Sequence, residues 1–349
     1  MQMAFWLFFY NGQKPSGKLI YLYTSSKERK FMKVLATKNA AVSTTSFNWK
    51  AYLKRYWQLY ALLFLPMLYL LIFKYIPMKY VLIAFKKYSI VQKVGEMPWA
   101  DNHGFQYFIQ AFHNKDFLNA LRNTVCLNLL DLVIGFPIPI IFALILNELN
   151  IKWFKKTVQT IAYMPHFLSW VIIYGLAIQL FAPGNGLVNM VITNLGGDAV
   201  PFLNDPHKWV GTYIFLGIWQ SFGWNSIIYL AAIAGISPEL YEAASVDGAG
   251  RFRKMWHITL PGIKSTIVVL LIMALGNILG SAFDRPFALQ NNLVMQNAEV
   301  ISTFVYKNGI KGLQFSLTTA VGLFQSVVGV FFLLFANWLS RKLGERGIW

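Results

Sequence analysis

The sequence predicts an all-α integral membrane protein with six transmembrane helices. Of its 349 residues, 56% are hydrophobic and only 13% are charged, whereas about a quarter of the residues in a soluble domain are usually charged. Uncharged stretches long enough to cross a bilayer recur along the chain. Both observations indicate a surface that largely faces lipid. The single cysteine, Cys126, excludes an intramolecular disulfide and a site built from several thiolates.

The six predicted spans follow from the distribution of charged residues. Five stretches carry no Asp, Glu, Lys or Arg, and a sixth, second in chain order, carries only Asp131. The predicted spans are residues 57–73, 123–146, 157–181, 209–235, 265–283 and 312–340. Pro137 and Pro139 lie in the second span and must interrupt its hydrogen-bond ladder. The carbonyl groups released there need a neighbouring helix or a water-lined cavity, because lipid cannot satisfy them.

The flanking charges predict the orientation. Most of the 31 Lys and Arg residues lie in the N-terminal segment 1–56, in the loops after the second and fourth spans, and in the tail 341–349. By the positive-inside rule these parts, and both termini, face the cytoplasm, with residues 57–340 as the membrane domain. The segment 74–122 is then an external loop or a set of short surface helices. Anionic lipid head groups explain the net charge of +17, which requires no nucleic acid partner.

The loop between the fourth and fifth spans, residues 237–262, is far more polar than the spans around it. Ser237 at an N-cap and Pro238 at the first helical position are typical of a helix start. Gly248 and Gly250 can adopt the backbone conformations that end a helix and turn the chain. We therefore expect a short helix followed by a glycine bend.

A second short helix is predicted after the bend from an amphipathic pattern. The apolar stripe consists of Phe252, Met255, Trp256 and Thr259, and the opposite face carries Arg251, Arg253 and Lys254. Leu260, Pro261 and Gly262 end this helix before the fifth span. The sequence thus predicts a pair of short helices at the cytoplasmic face. One alternative is an amphipathic helix that only lies on the inner leaflet.

The same loop contains a spaced pattern, which reads EAA, three residues, G, nine residues, I, one residue and LP. Its residues here are Glu242, Ala243, Ala244, Gly248, Ile258, Leu260 and Pro261. This pattern resembles the EAA loop in permease subunits of binding-protein-dependent ABC importers, which have the type I ABC importer permease architecture. The chain looks most like the polysaccharide and oligosaccharide branch, in particular the first permease subunits of alginate-oligosaccharide importers.

The resemblance implies a non-catalytic subunit of an ATP-driven importer in the bacterial inner membrane. In that family the loop docks into a cleft of a cytoplasmic ATPase dimer, which binds ATP and Mg²⁺. The ATPase-coupling residues implied here are Glu242, Ala243, Ala244, Asp247, Gly248, Arg251, Ile258, Leu260 and Pro261. The other implied partners are a second permease subunit, an external solute-binding protein and an oligosaccharide. The chain has no G-x-x-x-x-G-K-[ST] phosphate loop, and we expect it to bind no cofactor or metal itself.

Polar residues inside the spans are candidates for a substrate path, because a bilayer penalises them unless they face protein or water. Tryptophans beside them are included because aromatic faces stack on sugar rings. The candidates are Asn128, Asp131, Gln179, Trp219, Gln220, Trp224, Asn225, Asn277 and Gln325. For each amide the alternative is an interhelical hydrogen bond. An ionised Asp131 would repel a uronate, so we expect it to pair with a basic residue or to mark a gate. Asp284 and Arg285 are expected to form an internal pair or part of the external mouth.

Two other functional classes explain less of the sequence. An intramembrane enzyme needs a catalytic constellation, and the five histidines show no H-E-x-x-H spacing, nor is there a G-x-S-x-G run. A secondary transporter driven by an ion gradient would account for Asp131 and for the interrupted second span. It gives no reason for the loop 237–262.

Overall fold

The computed structural model of the chain describes residues 49–280, 282–342, 344 and 347. Most of the predicted N-terminal segment 1–56 and part of the predicted tail 341–349 lie outside the described residues. The described residues form helices joined by turns, with an isolated β-bridge between Lys86 and Trp99 and no β-strand. The prediction of an all-α fold is confirmed.

The chain divides into two units, at the boundary between Ile76 and Pro77. The first unit contains α1, Trp49–Leu70, which continues through a π-turn at Leu71–Tyr75. A 3₁₀ segment, Ile76–Phe85, follows directly. This stretch is long and apolar enough to cross a membrane, as predicted for the first span.

The second predicted span is one long helix with an interruption. It consists of α3, Lys115–Leu130, a π-turn at Asp131–Gly135, and α4, Pro137–Asn147, and it follows the short α2, Gln106–His113. The side chain of Asn114 caps α3 by accepting backbone N–H groups of its first turn. The π-turn lies directly before the two prolines, where the sequence predicts a break in the hydrogen-bond ladder.

The third predicted span is not a straight helix. α5, Lys152–Tyr163, runs into a 3₁₀ turn at Met164–Phe167, and α6, Trp170–Phe181, leaves that turn so that the two halves are bent by 105°. Pro165 lies in the turn, and the hydroxyl of Ser169 caps α6. Apolar composition alone identified this stretch as one span, but it did not reveal the bend.

The second unit contains further helices after α6. These are α7 Leu187–Asn194, α8 Pro206–Ala234, α9 Pro238–Val246, α10 Arg251–Lys254, α11 Leu260–Gly262, α12 Lys264–Gly276, α13 Asp284–Leu289, α14 Met295–Ala298, α15 Ile301–Val305 and α16 Phe315–Lys342. Two more π-turns lie at Met255–Thr259 and Tyr306–Lys311. The fifth predicted span extends to residue 283, whereas α12 already ends at Gly276.

Length and apolar composition set the number of spans. Three helices of the described residues can each cross a membrane, and three bent helix pairs pass the same test together. The described residues therefore provide three to six spans. The predicted number of six corresponds to counting each bent pair as one span.

α8 is the element around which the second unit packs. It lies against α4 and α5, while α12 lies against α16. α5 and α8 approach closely at Gly223, where an added Cβ would overlap the carbonyl oxygen of Ala162. In the first turn of α8, Trp209 is buried, and its indole N–H donates to the carbonyl oxygen of Leu289 at 2.9 Å. The side chain of Asp205 caps α8 by accepting backbone N–H groups of its first turn. The hydrogen bond from the backbone N–H of Lys208 is the main cause that lowers the pKa of this carboxyl.

Candidate functional site

A cavity of about 410 Å³ lies among α3, α4, α8 and α12. Four predicted path residues line it, namely Asn128, Asp131, Asn225 and Asn277. The side-chain N–H₂ of Asn128 also donates to the carbonyl oxygen of Ile278 at 2.8 Å, so this residue fastens α3 to the turn after α12. The rest of the wall is mostly apolar. A largely apolar hollow with a few polar groups is typical of a small-molecule site.

An ion pair stands in the wall of this cavity. Nη1 of Arg285 lies 2.6 Å from Oδ2 of Asp131, and Nη2 lies 3.3 Å from Oδ1. Asp131 was predicted to pair with a basic residue or to mark a gate, and Arg285 is the partner that the structure places beside it. The alternative pairing of Arg285 with its neighbour Asp284 does not occur among the ion pairs of the described residues.

The guanidinium of Arg285 is closely enclosed by residues of α8. Nη2 donates to the backbone carbonyl of Tyr213 at 2.6 Å, and the guanidinium carbon lies 3.7 Å from the centre of the Tyr213 ring. Gly217, one turn further along α8, leaves room for it, because an added Cβ there would overlap the guanidinium. Nε of Arg285 is buried without a hydrogen-bond partner. The arginine is thus held from several sides.

Two of the other predicted path residues make interhelical contacts. The side-chain N–H₂ of Gln325 on α16 donates to the carbonyl oxygen of Leu279. That of Gln220 on α8 reaches the carbonyl oxygen of Leu168 at 3.5 Å. These are the contacts that the sequence analysis gave as the alternative for a membrane amide. Neither residue lines the cavity, and their part in a substrate path stays a prediction.

The last three predicted path residues also lie outside the cavity wall. Trp219 packs against the buried cluster that surrounds α8. Trp224 stacks on the ring of His166 with a centroid distance of 4.5 Å, beside the bend between α5 and α6. Gln179 is exposed on α6. Contact of these side chains with a substrate stays a prediction as well.

The loop between α8 and α12 forms two short helices joined by a bend, and we call residues 237–262 the coupling hairpin. Gly248 ends α9 with a φ of +74°, in the left-handed region that favours glycine. Its N–H donates to the carbonyl oxygen of Ser245 at 3.1 Å, and the N–H of Ala249 donates to that of Ala244 at 2.8 Å. This bonding is the Schellman motif. The predicted glycine bend is therefore present.

Side-chain hydrogen bonds hold the two arms of the coupling hairpin together. The hydroxyl groups of Tyr241 and Thr259 lie 3.0 Å apart, and Nζ of Lys254 donates to Oγ of Ser245 at 2.6 Å. Ser237 occupies the predicted N-cap position, although its hydroxyl makes no capping bond. The hairpin is thus a small fixed unit and not a single helix along a surface.

The predicted coupling residues divide into an outer and an inner set. The exposed ones are Glu242, Ala243, Asp247, Gly248, Arg251 and Pro261, and the partly buried ones are Ala244, Ile258 and Leu260. The predicted apolar stripe is divided in the same way. Thr259 is buried and Met255 partly packed, whereas Phe252 and Trp256 remain 83% and 66% exposed.

The base of the coupling hairpin belongs to the same packed cluster as the cavity wall. Ile263, directly after the hairpin, is fully buried among side chains of α4 and α8, and Leu260 packs against this cluster. Tyr229 is a member of the cluster, and Leu270 packs against it, while both also line the cavity. The hairpin base and the cavity wall therefore share packed side chains.

Sequence reasoning did not place Arg285, Gly217 and Ser221 among the path residues. A signal for Arg285 was present, because an arginine next to one span and an acid inside another are candidates for an intramembrane pair. Gly217 and Ser221 are small residues one turn apart on α8, typical of close helix contacts. Among the described residues, no group of three or more His, Cys, Asp or Glu side chains is placed to hold a metal ion.

Comparison with known proteins agrees with this geometry. Residues 118–345 match the family described as binding-protein-dependent transport system inner membrane component. The chain is 45% identical over 291 residues to the polygalacturonan/rhamnogalacturonan transport system permease protein YteP of Bacillus subtilis (strain 168). That alignment covers 83% of this chain and 90% of YteP. It is also 44% identical to protein LplB of the same organism over 301 residues. That alignment covers 86% of this chain and 94% of LplB.

A solved structure is similar as well. It is a bacterial alginate ABC transporter in complex with an alginate pentasaccharide-bound periplasmic protein, and the aligned chain is 41% identical with a TM-score of 0.77. The alignment covers 86% of this chain and 99% of that one. The alternative of a secondary transporter is not supported, and the predicted permease identity is confirmed. This chain belongs to the binding-protein-dependent transport system inner membrane components, the non-catalytic permease subunits of ABC transporters.

Proposed function

We propose that this chain is one permease subunit of an ATP-driven importer that carries acidic oligosaccharides across a bacterial cytoplasmic membrane. It pairs with a second permease subunit to enclose the substrate path. A cytoplasmic ATPase dimer, which binds ATP and Mg²⁺, drives the transport, and an external solute-binding protein delivers the substrate. Both termini and the coupling hairpin face the cytoplasm, and residues 57–340 form the membrane domain. Family membership and the basic flanks of the spans support this assignment.

The cluster that joins the coupling hairpin to the cavity is the observation that carries the proposal. A transporter subunit without its own nucleotide site must receive motion from the ATPase and pass it to the substrate path. The hairpin base and the cavity wall share Tyr229 and Leu270 as packing partners. Packed interiors transmit displacement because they have little free space. Docking of the ATPase at the hairpin is thereby linked to the shape of the cavity.

The exposed side of the hairpin fits a protein partner. Ala243 is small enough to let a partner approach α9 closely, and Glu242 and Asp247 offer carboxylates to basic groups of that partner. Phe252 and Trp256 add large exposed aromatic surfaces. Aromatic anchors beside charged groups are typical of the central part of a protein interface. The alternative is insertion of this face into the inner leaflet, and crosslinking distinguishes the two.

The relatives support an acidic carbohydrate as the substrate. One is named for transport of polygalacturonan and rhamnogalacturonan, and the similar solved structure is of a transporter for the acidic polysaccharide alginate. All three polymers contain uronic acids, whose carboxylates are ionised at neutral pH. Because Asp131 is paired with Arg285, the cavity wall carries no net negative charge toward an arriving uronate.

Crosslinking tests the docking assignment. With Cys126→Ala removing the native cysteine, Ala243→Cys in purified complexes should crosslink to the nucleotide-hydrolysing subunit, identified by mass spectrometry. Val91→Cys is the matched control, because Val91 is 93% exposed but lies before the second span, on the predicted external side. It should give no such product. A chain that transports oligosaccharides uphill when reconstituted alone would contradict the proposal, as would crosslinking of Val91 but not Ala243 to the ATPase.

Glu242→Lys is expected to lower substrate-stimulated ATP hydrolysis and uptake by roughly tenfold, because loss of one charged contact in an interface costs about 1.5–3 kcal/mol. Membrane insertion should be normal, since Glu242 is exposed. The control is Glu96→Lys, the same charge change at another exposed residue. Reconstituted ATPase and uptake assays check the result. Equal effects of both substitutions would show that net charge, and not docking, is responsible.

A further inference from the structure

We propose that Arg285 is a specificity-determining residue that binds a carboxylate of the passing sugar acid, and that Asp131 occupies Arg285 until the substrate displaces it. This inference rests on the proposed function, because it assigns the feature by which the path accepts acidic substrates. It concerns the cavity among α3, α4, α8 and α12.

The cavity wall carries one basic and one acidic side chain among the described residues, Arg285 and Asp131. A carboxylate that leaves water for such a space loses hydration, and this loss is costly unless a cation or hydrogen-bond donors replace the water. The amides of Asn225 and Asn277 supply donors but no charge, and the amide N–H₂ of Asn128 already donates to the carbonyl oxygens of Ile278 and Gly280. Arg285 is therefore the group in the wall that can balance the charge of a uronate.

The contacts around Arg285 fix the N–H groups of its guanidinium in position. The contacts with Tyr213 and the space left by Gly217 hold the guanidinium, and its side chain is only 13% exposed. A fixed guanidinium favours carboxylates, because its two parallel N–H groups match the two carboxylate oxygens. That a carboxylate fits this fork is visible in the pair with Asp131 itself.

Asp131 is the more movable member of the pair. Its side chain is 30% exposed, and one of its two contacts is long, at 3.3 Å. It also begins the π-turn Asp131–Gly135, where the regular helix bonding is already altered. We therefore expect the guanidinium of Arg285 to keep its position while Asp131 turns toward the water of the cavity. A sugar carboxylate then replaces the Asp131 carboxylate at the guanidinium.

This exchange suits a transporter because one carboxylate replaces another. The free energy of the new contact is largely offset by the loss of the old one, so the substrate is bound selectively without being held too tightly to leave. Permeation in general requires binding strong enough for entry and weak enough for release. A neutral sugar cannot displace Asp131 in this way, and the pair discriminates against it.

The test measures binding to the purified complex of both permease subunits and the ATPase, without the solute-binding protein. Equilibrium dialysis compares a radiolabelled uronate trisaccharide with its carboxyl-reduced, neutral counterpart. Asp131→Asn should bind the uronate roughly tenfold more tightly and Arg285→Gln roughly tenfold more weakly, as for charged hydrogen bonds in general. Binding of the neutral trisaccharide should change little in either variant.

The double variant Asp131→Asn with Arg285→Gln guards against misfolding. Arg285→Gln alone leaves an unpaired carboxylate, whereas the double variant removes both charges. It should fold normally and lose the preference for the uronate. Lys307→Gln is the matched control, because the pair of Lys307 with Glu299, at 3.2 Å, lies outside the cavity wall. This control should keep the wild-type preference.

Two results would overturn the inference while leaving the proposed function intact. One is a double variant that keeps the wild-type preference for the uronate. The other is an Asp131→Asn variant that binds both trisaccharides equally more weakly, as a purely structural ion pair would predict. If the wild-type complex binds neither trisaccharide and shows no uptake from the loaded solute-binding protein, the proposed function fails, and this inference fails with it.

Discussion

Gly248→Pro is expected to abolish oligosaccharide-stimulated ATP hydrolysis and uptake while the chain still inserts into the membrane. Gly248 has a φ of +74°, and proline fixes φ near −65°. Proline also removes the N–H that donates to Ser245, and it disfavours the near-helical backbone of Asp247 before it. The bend of the coupling hairpin therefore cannot keep its geometry.

The size of this effect follows from the free-energy cost of placing proline at this backbone position. A proline that conflicts with the local φ and removes a hydrogen bond costs roughly 3 kcal/mol, which corresponds to a roughly hundredfold lower population of the native bend. The surroundings contribute nothing further, since the space around Gly248 is open. Coupling should thus be lost by roughly two orders of magnitude through the backbone alone.

Gly250→Ala is the control for this substitution. Gly250 lies in the same bend with equally open space, but its φ of −70° and ψ of 170° suit any residue. ATPase stimulation in proteoliposomes, with membrane insertion measured in parallel, should be near wild type for Gly250→Ala and absent for Gly248→Pro. Normal transport by Gly248→Pro would mean that the bend is not needed for coupling.

Gly223→Ala is expected to destabilise the membrane domain and to disturb the broken third span. An added Cβ would overlap the backbone carbonyl of Ala162, so α5 and α8 must move apart. The new Cβ would meet backbone atoms of Ala162, so there is no flexible side chain that could move aside. Overpacking of this kind costs about 1–3 kcal/mol. Because α5 leads into the bend at Pro165, we expect weaker uptake together with a lower unfolding temperature.

Gly211→Ala on the same helix is the matched control. No atom lies within contact distance of a Cβ at Gly211, so alanine should be tolerated and gain up to about 1 kcal/mol of helix propensity. Thermal unfolding of the purified complexes in detergent separates the two variants. Equal unfolding temperatures for Gly223→Ala and Gly211→Ala would contradict the close approach of α5 and α8.

The coupling hairpin could be predicted largely from the sequence because its signals are local. Pro238 starts a helix, Gly248 ends it, and the spacing to Leu260 and Pro261 places a second helix after the bend. The membrane class was equally accessible, since a long uncharged stretch is costly to expose to water wherever it lies in the fold. The position of Phe252 could not be predicted, because the same periodic pattern describes a packed face and a docking face.

Local signals along the chain were enough to predict the membrane class, the helical hairpin and the family pattern, because helix signals and hydrophobic length depend on neighbouring residues. Helix packing, in contrast, sets which polar residues meet in the cavity, and it brings Asp131 to Arg285, 154 positions away along the chain. It also makes Gly217 and Gly223 points of close contact. Such choices depend on which helices pack together, and a single sequence does not show side-chain distances across a helix interface.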